Sequence, residues 1–252
     1  MDLQFLQEVA LEAGKIGLQY FGRVDQRFKA DSTIVTQADL EVEAHVVSRV
    51  RSRFPKHSIL AEENSGNVSH SSDYVWAIDP IDGTQGFSFG FPTWGISIGL
   101  LRKGNPAFGA ILLPVIGDLY LAEPGSVYLN GKILEQCSDR PLDQHSYVMV
   151  PESIHHSYVY EWVGDILSFG AVATHCCYVA RGSAVGSICR PCIWDLAAGV
   201  AIMREAGVMT RYSDGSDIDW VELFDGRRLR MATIAARPGH WEHIARSFRR
   251  RD

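Results

Sequence analysis

The chain has 252 residues, 46% hydrophobic and 21% charged, with a net charge of -6 and a pI near 5.8. This is enough chain for one large domain or two fused lobes with a sizeable core, and the acidic balance argues against a nucleic-acid backbone as partner. The most apolar run, residues 107–116, contains Pro114 and is too short to span a bilayer, so no membrane partner is expected. Residues 1–21 carry acids and glutamines among their apolar positions, unlike a signal or transit peptide. Five cysteines, an odd number without disulfide spacing, point to a reducing cytoplasm.

Leu3, Leu6, Val9, Ala13, Ile16 and Tyr20 recur at helical spacing and predict a first amphipathic helix, ended by Gly22. Residues 23–35 read as a loop or hairpin carrying Lys29. Thr36-Gln37-Ala38-Asp39 resembles a capping box and opens a second helix, which Pro55 closes. A short strand over 58–61 leads into Glu62-Glu63-Asn64. A Ser- and Asn-rich surface loop over 65–73 follows. The apolar run 74–78 predicts a buried strand ending on Asp79-Pro80-Ile81-Asp82-Gly83-Thr84. Strands are expected over 95–102, 106–114 and 118–123, with a hairpin at Asn130-Gly131. The first half is thus two helices and an antiparallel-leaning sheet.

The second half alternates strands and helices, as in an α/β lobe. Strands are expected over 147–150, 186–188 and 231–236. Helices are expected over 154–166, 171–180, 196–206 and 240–248, the third opened by Trp194-Asp195. The change of pattern predicts an N-terminal α+β lobe over residues 1–145 and a C-terminal α/β lobe over 146–252 that carries Asp195.

Two carboxylates fixed at one strand end repel each other unless a cation lies between them. Asp79, Asp82 and the Ile81 carbonyl can offer one face of an octahedral site for a hard cation such as Mg2+. Gly83 allows close approach of the backbone to a ligand, and the N–H groups after it can meet an anion. Glu62 and Asp195 stand at two further element ends, where sites gather in layered α/β folds. Taken singly, each acid has a plainer use as a helix cap or solvated loop residue. Cys189 and Cys192 form a CxxC with no second pair, so a zinc site is unsupported. His175-Cys176-Cys177 reads as core. Arg246, Arg249, Arg250 and Arg251 read as a basic helix terminus suited to the dipole.

The stretch Asp79-Pro80-Ile81-Asp82-Gly83-Thr84-Gln85-Gly86-Phe87 resembles the first signature of the inositol monophosphatase family. Residues 194–207, WDLAAGVAIMREAG, resemble its second. LAEEN at 60–64 and FKADSTIVTQADLEVE at 28–43 match two more elements, in the family's order.

The resemblance implies a five-layered αβαβα sandwich of mixed α/β (α+β) class, usually dimeric. It also implies hydrolysis of a small-molecule phosphate monoester by a metal-activated water, with two or three Mg2+ ions (or Mn2+) and lithium sensitivity. Carried over by motif, Glu62, Asp79, Ile81, Asp82 and Asp195 are the metal ligands. Thr84 and Asp39 polarise the attacking water, with Glu62 beside them. Gly83, Thr84 and Asp195 meet the substrate, with Lys29 as a further contact. A Thr hydroxyl is a weak base and needs an acid behind it, which suits Asp39. Beside an inositol phosphate, the family's rival substrates are histidinol phosphate, fructose 1,6-bisphosphate and 3'-phosphoadenosine 5'-phosphate. A rival of another class is a non-catalytic relative that binds a phosphorylated ligand, although the acid set is complete. Two segments depart from the pattern. Residues 170–173 lack the serine of GSAA, and residues 187–193 lack the acid that many members carry before Trp-Asp. Arg190 stands there instead, able to read a second anionic group bidentately.

Overall fold

The computed structural model describes residues 2–23, 27, 28, 34–64, 68, 69, 71–136 and 140–251. Helix α1, Leu3–Tyr20, starts at Asp2, whose side chain accepts from the Gln4 N–H. Strands β1 (Arg27–Phe28) and β2 (Ile34–Val35) pair antiparallel, within the stretch expected to be a loop or hairpin. Lys29 lies outside the described residues. Helix α2, Gln37–Arg53, opens on the Thr36–Asp39 capping box.

The main sheet follows. Its strands are β3 (Ser58–Ala61), β4 (Tyr74–Asp82), β5 (Gly95–Arg102), β6 (Asn105–Leu113), β7 (Asp118–Glu123), β8 (Ser126–Leu129) and β9 (Lys132–Ile133), in that spatial order. Only β3 and β4 run parallel; the other neighbours are antiparallel. The five-residue helix α3, Thr84–Ser88, interrupts the run between β4 and β5. Asn130-Gly131 turns β8 into β9, as its sequence predicts.

A second sheet of five strands has the order β12-β10-β13-β15-β14. These are β10 (Tyr147–Met149), β12 (Asp165–Leu167), β13 (Gly186–Cys189), β14 (Met209–Tyr212) and β15 (Thr233–Ala236). Two sequence expectations fail here, and one strand was not expected. The helix expected over 154–166 is only α4, Ile154–Ser157; β11 (Tyr158–Tyr160) and β12 follow it. Tyr158-Val159-Tyr160 favours extended backbone, and β16 (Phe248–Arg250) pairs with it antiparallel. The last helix, α7 (Pro238–Ser247), therefore stops short of Phe248. Strand β14 has no alternation strong enough to stand out in the sequence.

The layers follow from which faces are apolar. Helices α1 and α2 bury Leu6, Val9, Val42 and Val46 against one face of the large sheet, with Trp76, Ile78 and Ile98. Helices α5 (Val172–Ala180) and α6 (Ile193–Glu205) fill the space between the two sheets. Helix α7 covers the outer face of the small sheet through Ile244, with Ile188 and Ile234. The result is the five-layered αβαβα sandwich. Two glycines set the depth at which α6 sits. A Cβ on Gly99 would lie 2.8 Å from the Ala198 nitrogen, and one on Gly109 would lie 2.5 Å from the Ala198 oxygen. The helix backbone thus rests directly on β5 and β6, and Ser97 Oγ donates to the Trp194 carbonyl at 3.0 Å. This fixes the start of α6, and with it Asp195, over the ends of the large-sheet strands.

Candidate active site

Strand β4 runs on through both acids, but its pairing with β5 shifts register between Asp79 and Asp82. The irregularity lets both side chains leave the strand end on one side. Asp79 and Asp82 are buried, at 2% and 5% exposure. Asp195, half-buried at the start of α6, meets them there. One carboxylate oxygen from each of the three lies within 4.8 Å of the others. Glu62 is outside that triad but faces it from the end of β3, where its charge acts on Asp39, Asp79, Asp82 and Asp195.

Each acid is held by backbone. Asp79 Oδ1 accepts from the Ile81 N–H at 3.0 Å. Asp82 Oδ2 accepts a short hydrogen bond from the Ala173 N–H at the start of α5. Asp195 Oδ2 accepts from the Cys192 N–H at 2.8 Å, completing a capping box on α6. The capping use and the site use of these acids therefore coexist, because a carboxylate has enough lone pairs for both.

Like charges this close and this dry are expensive to ionise together. Burial, then the charges of Glu62, Asp82 and Asp195, push Asp79 well above the ordinary carboxylate range. Burial, then the charge of Asp195, raises Asp82, against the Ala173 and Val172 N–H groups that favour its anion. Burial, then Glu62, raises Asp195 to about 6. Asp79 and Asp195 share a hydrogen bond that favours the proton on Asp79. A bound cation would supply the compensation that protonation supplies in its absence. The donor set is all oxygen, without histidine or thiolate, and so suits a hard divalent ion.

Behind the triad stands Asp39, fully buried. Its Oδ2 accepts from the Thr36 N–H at 2.8 Å and the Thr36 hydroxyl at 2.6 Å. Its Oδ1 accepts from Thr84 Oγ1 at 3.2 Å. Thr84 Oγ1 also reaches the Ile81 carbonyl, at 2.9 Å. Burial raises Asp39 to about 6, although the Thr36 hydrogen bonds oppose the rise. Gly83, between Asp82 and Thr84, has φ +90°, and a Cβ on it would lie 2.9 Å from the Ala171 Cβ. The β4 end and the turn into α5 therefore close on each other at a position that only glycine fills easily.

Several supports went unnoticed in the sequence. Glu43, on the same face of α2 as Asp39, is buried at 1% exposure. It accepts from the Glu63 N–H at 2.7 Å and Asn64 Nδ2 at 2.8 Å, fixing the loop that carries Glu62. Its spacing of four residues from Asp39 was the available signal. His175 is core, as expected, and burial lowers it to about 4. Its Nε2 accepts from the Phe169 N–H at 3.0 Å, and Thr93 Oγ1 donates to the Phe169 carbonyl at 2.8 Å. These bonds hold the turn beneath Gly83. Arg190 is exposed at the end of β13 and is not among the acids. Among the described residues the only cluster with metal-ligand geometry is the aspartate triad, and Cys189 and Cys192 take no part in one.

The inositol monophosphatase family model matches residues 2–251. The chain belongs to this family. A histidinol-phosphatase of Chlorobaculum parvum is 34% identical over 224 residues, covering 82% of this chain and 83% of the relative. A fructose-1,6-bisphosphatase/inositol-1-monophosphatase of Aquifex aeolicus is 30% identical over 223 residues, covering 81% and 83%. The inositol monophosphatase structure from Anabaena superposes with a TM-score of 0.79 at 26% identity, covering 97% of this chain and 94% of that one. As an inositol monophosphatase family protein the chain is a phosphatase, a hydrolase of phosphate monoesters. Its acid triad can hold a metal ion, and no helix among the described residues is long and apolar enough to cross a membrane.

Proposed function

We propose that this inositol monophosphatase family member is a Mg2+-dependent phosphomonoesterase acting on a small phosphorylated metabolite. The observation that carries the proposal is the convergence of Asp79 and Asp82 from the end of β4 and Asp195 from the start of α6, with the Thr84–Asp39 pair beside it. Glu62, Asp79, Asp82, Asp195 and the Ile81 carbonyl would hold the metal, with Mn2+ as a substitute. When bound, the ions supply positive charge that offsets the phosphate dianion and acidifies the attacking water.

The chain's own residues do the rest. Asp39 accepts the Thr84 hydroxyl proton, so that Thr84 Oγ1 can take one from the water. The dry setting makes Asp39 a stronger base than a solvated carboxylate. Gly83 and Thr84 N–H groups, opened by the left-handed turn, face the phosphate. Asp195 contacts the departing alcohol, and Arg190 and Lys29 are further substrate contacts. No covalent phosphoenzyme is required, since little covalent work falls to the protein in phosphoryl transfer. In the same proposal residues 1–145 and 146–252 act as two lobes, and the enzyme is a cytoplasmic homodimer inhibited by lithium.

The test is turnover of a panel with and without Mg2+: inositol 1-phosphate, histidinol phosphate, fructose 1,6-bisphosphate, 3'-phosphoadenosine 5'-phosphate and p-nitrophenyl phosphate. Release of phosphate that needs the metal is expected for at least one. Absence of turnover with every divalent ion tried would turn the proposal toward a non-catalytic phosphate-binding protein.

A further inference from the structure

A cavity of about 450 Å³ opens at the end of β13, next to the apolar cluster on the outer face of the small sheet. Arg190, Arg228 and Arg250 line it together with Tyr158, Ser153 and Ser213. None of the described lining residues is an aspartate or glutamate. The neighbouring arginines differ sharply. Arg227 pairs with Asp225, Arg230 with Asp214 and Arg249 with Glu161. Arg228 and Arg250, adjacent to these in sequence, have no carboxylate partner among the described residues, and neither has Arg190.

Arg190 and Arg228 are also tied to the segment that leads to Asp195. Arg190 Nε donates to the Leu229 carbonyl at 2.8 Å, and Arg228 Nη1 donates to the Arg190 carbonyl at 3.4 Å. The Leu229 N–H donates to the Pro191 carbonyl at 3.1 Å. The 228–229 segment is thus strapped onto 190–191, immediately before the Cys192 cap and Asp195. The positive charge of Arg228 is felt at Asp195, and those of Arg250 and Arg190 at the Tyr158 phenol. Three guanidinium groups at one cavity, with no carboxylate among its described lining residues, repel each other. An anion there would relieve the repulsion and could be held bidentately.

We propose that the substrate carries a second anionic group, a phosphate or carboxylate, on its leaving-group side, and that Arg190, Arg228 and Arg250 receive it. This rests on the phosphomonoesterase reading above. It also sets this chain against phosphorylated amino alcohols, whose cationic leaving group would face the three arginines.

The experiment compares kcat/KM with Mg2+ for fructose 1,6-bisphosphate, p-nitrophenyl phosphate and histidinol phosphate. Wild type is expected to favour the bisphosphate over histidinol phosphate at least about tenfold. Arg228→Gln and Arg250→Gln should each lower kcat/KM for the bisphosphate roughly ten- to hundredfold, as loss of a charge-assisted contact does. That loss should exceed the loss on p-nitrophenyl phosphate at least tenfold, and Arg228→Lys should recover part of it. Both side chains are exposed, and thermal melts verify that the variants fold. Equal losses on both substrates, faster wild-type turnover of histidinol phosphate, or non-competitive inhibition of p-nitrophenyl phosphate turnover by the bisphosphate would overturn the proposal. If no substrate turns over with any divalent ion, the phosphatase reading has failed. Calorimetry with fructose 1,6-bisphosphate and Ca2+ then decides the cavity: binding weakened at least tenfold by Arg228→Gln supports it, and no binding overturns it.

Discussion

The two sides of the acid cluster are built in opposite ways. The large-sheet side is local. Glu62, Asp79, Asp82, Gly83 and Thr84 lie within one stretch joined by two parallel strands, and Asp39 and Glu43 reach it from a single helix turn. The small-sheet side is assembled from distant pieces: the Gly170 turn, the β13–α6 connection, the 228–229 segment and the terminal strand β16. The local side carries most of the acids, while Asp195 and the Ala173 N–H that holds Asp82 come from the dispersed side. The dispersed side forms the wall of exposed arginines. A site divided this way can keep its chemistry while its substrate wall changes, because different chain segments carry the two jobs.

The comparison breaks first at the aspartates if they are dispensable. Asp82→Asn is expected to lower kcat/KM for p-nitrophenyl phosphate with Mg2+ by roughly a thousandfold, the order found when a preorganised electrostatic group is removed. The same variant without metal should melt no lower than wild type, since one of several repelling carboxylates is gone. Activity within tenfold of wild type would remove Asp82 from the site.

Next come Thr84→Ala and Asp39→Asn. Each should cost about 10²–10⁴-fold in kcat, the usual range for acid–base catalysis. Because they act as one relay, the double variant should be little worse than the poorer single variant. Fully multiplicative losses would show that the two act separately.

A smaller effect is expected from Glu43→Gln, which disturbs only the loop carrying Glu62. Mg2+ affinity should weaken roughly tenfold, the low end for residues that orient metal ligands, with kcat near wild type at saturating metal. A fall in kcat that metal cannot restore would assign Glu43 a different part.

The smallest effect is on stability against pH. Asp39 and Asp195 stand at about 6 in the folded protein, and Asp79 and Asp82 are also raised. Such groups bind protons more tightly folded than unfolded. The stability these groups contribute is therefore fully present below the unfolded carboxylate pKa, about 4, and is lost as pH rises through about 6. Chelated protein should melt a few degrees higher at pH 5 than at pH 7, and saturating Mg2+ should shrink that difference. A melting temperature that climbs with pH in chelated protein would contradict the burial of these charges.

How much of this was legible in the sequence follows the same division. Asp79, Asp82 and Thr84 were readable because a strand that ends on paired acids and a glycine is conspicuous in one window. Asp39 was visible as a capping residue, and its reach to Thr84 depends on α2 packing over β4, which a capping box does not encode. On the other side, residues 154–166 carry apolar spacing compatible with a helix. Residues 158–160 pair instead with Phe248–Arg250, some ninety residues away, and 165–167 with β10; long-range pairing of this kind overrides local pattern. The pairing that separates Arg227 and Arg230 from Arg228 is likewise a property of the folded surface.

The most direct test of the central claim is an anomalous-scattering map from crystals grown with Mn2+. The account predicts density between Asp79, Asp82 and Asp195, within roughly 2.0–2.3 Å of carboxylate oxygens as oxygen-bound divalent ions require, with Glu62 or the Ile81 carbonyl completing the set. Mn2+ bound elsewhere while Asp79 and Asp195 stay hydrogen-bonded to each other would contradict it.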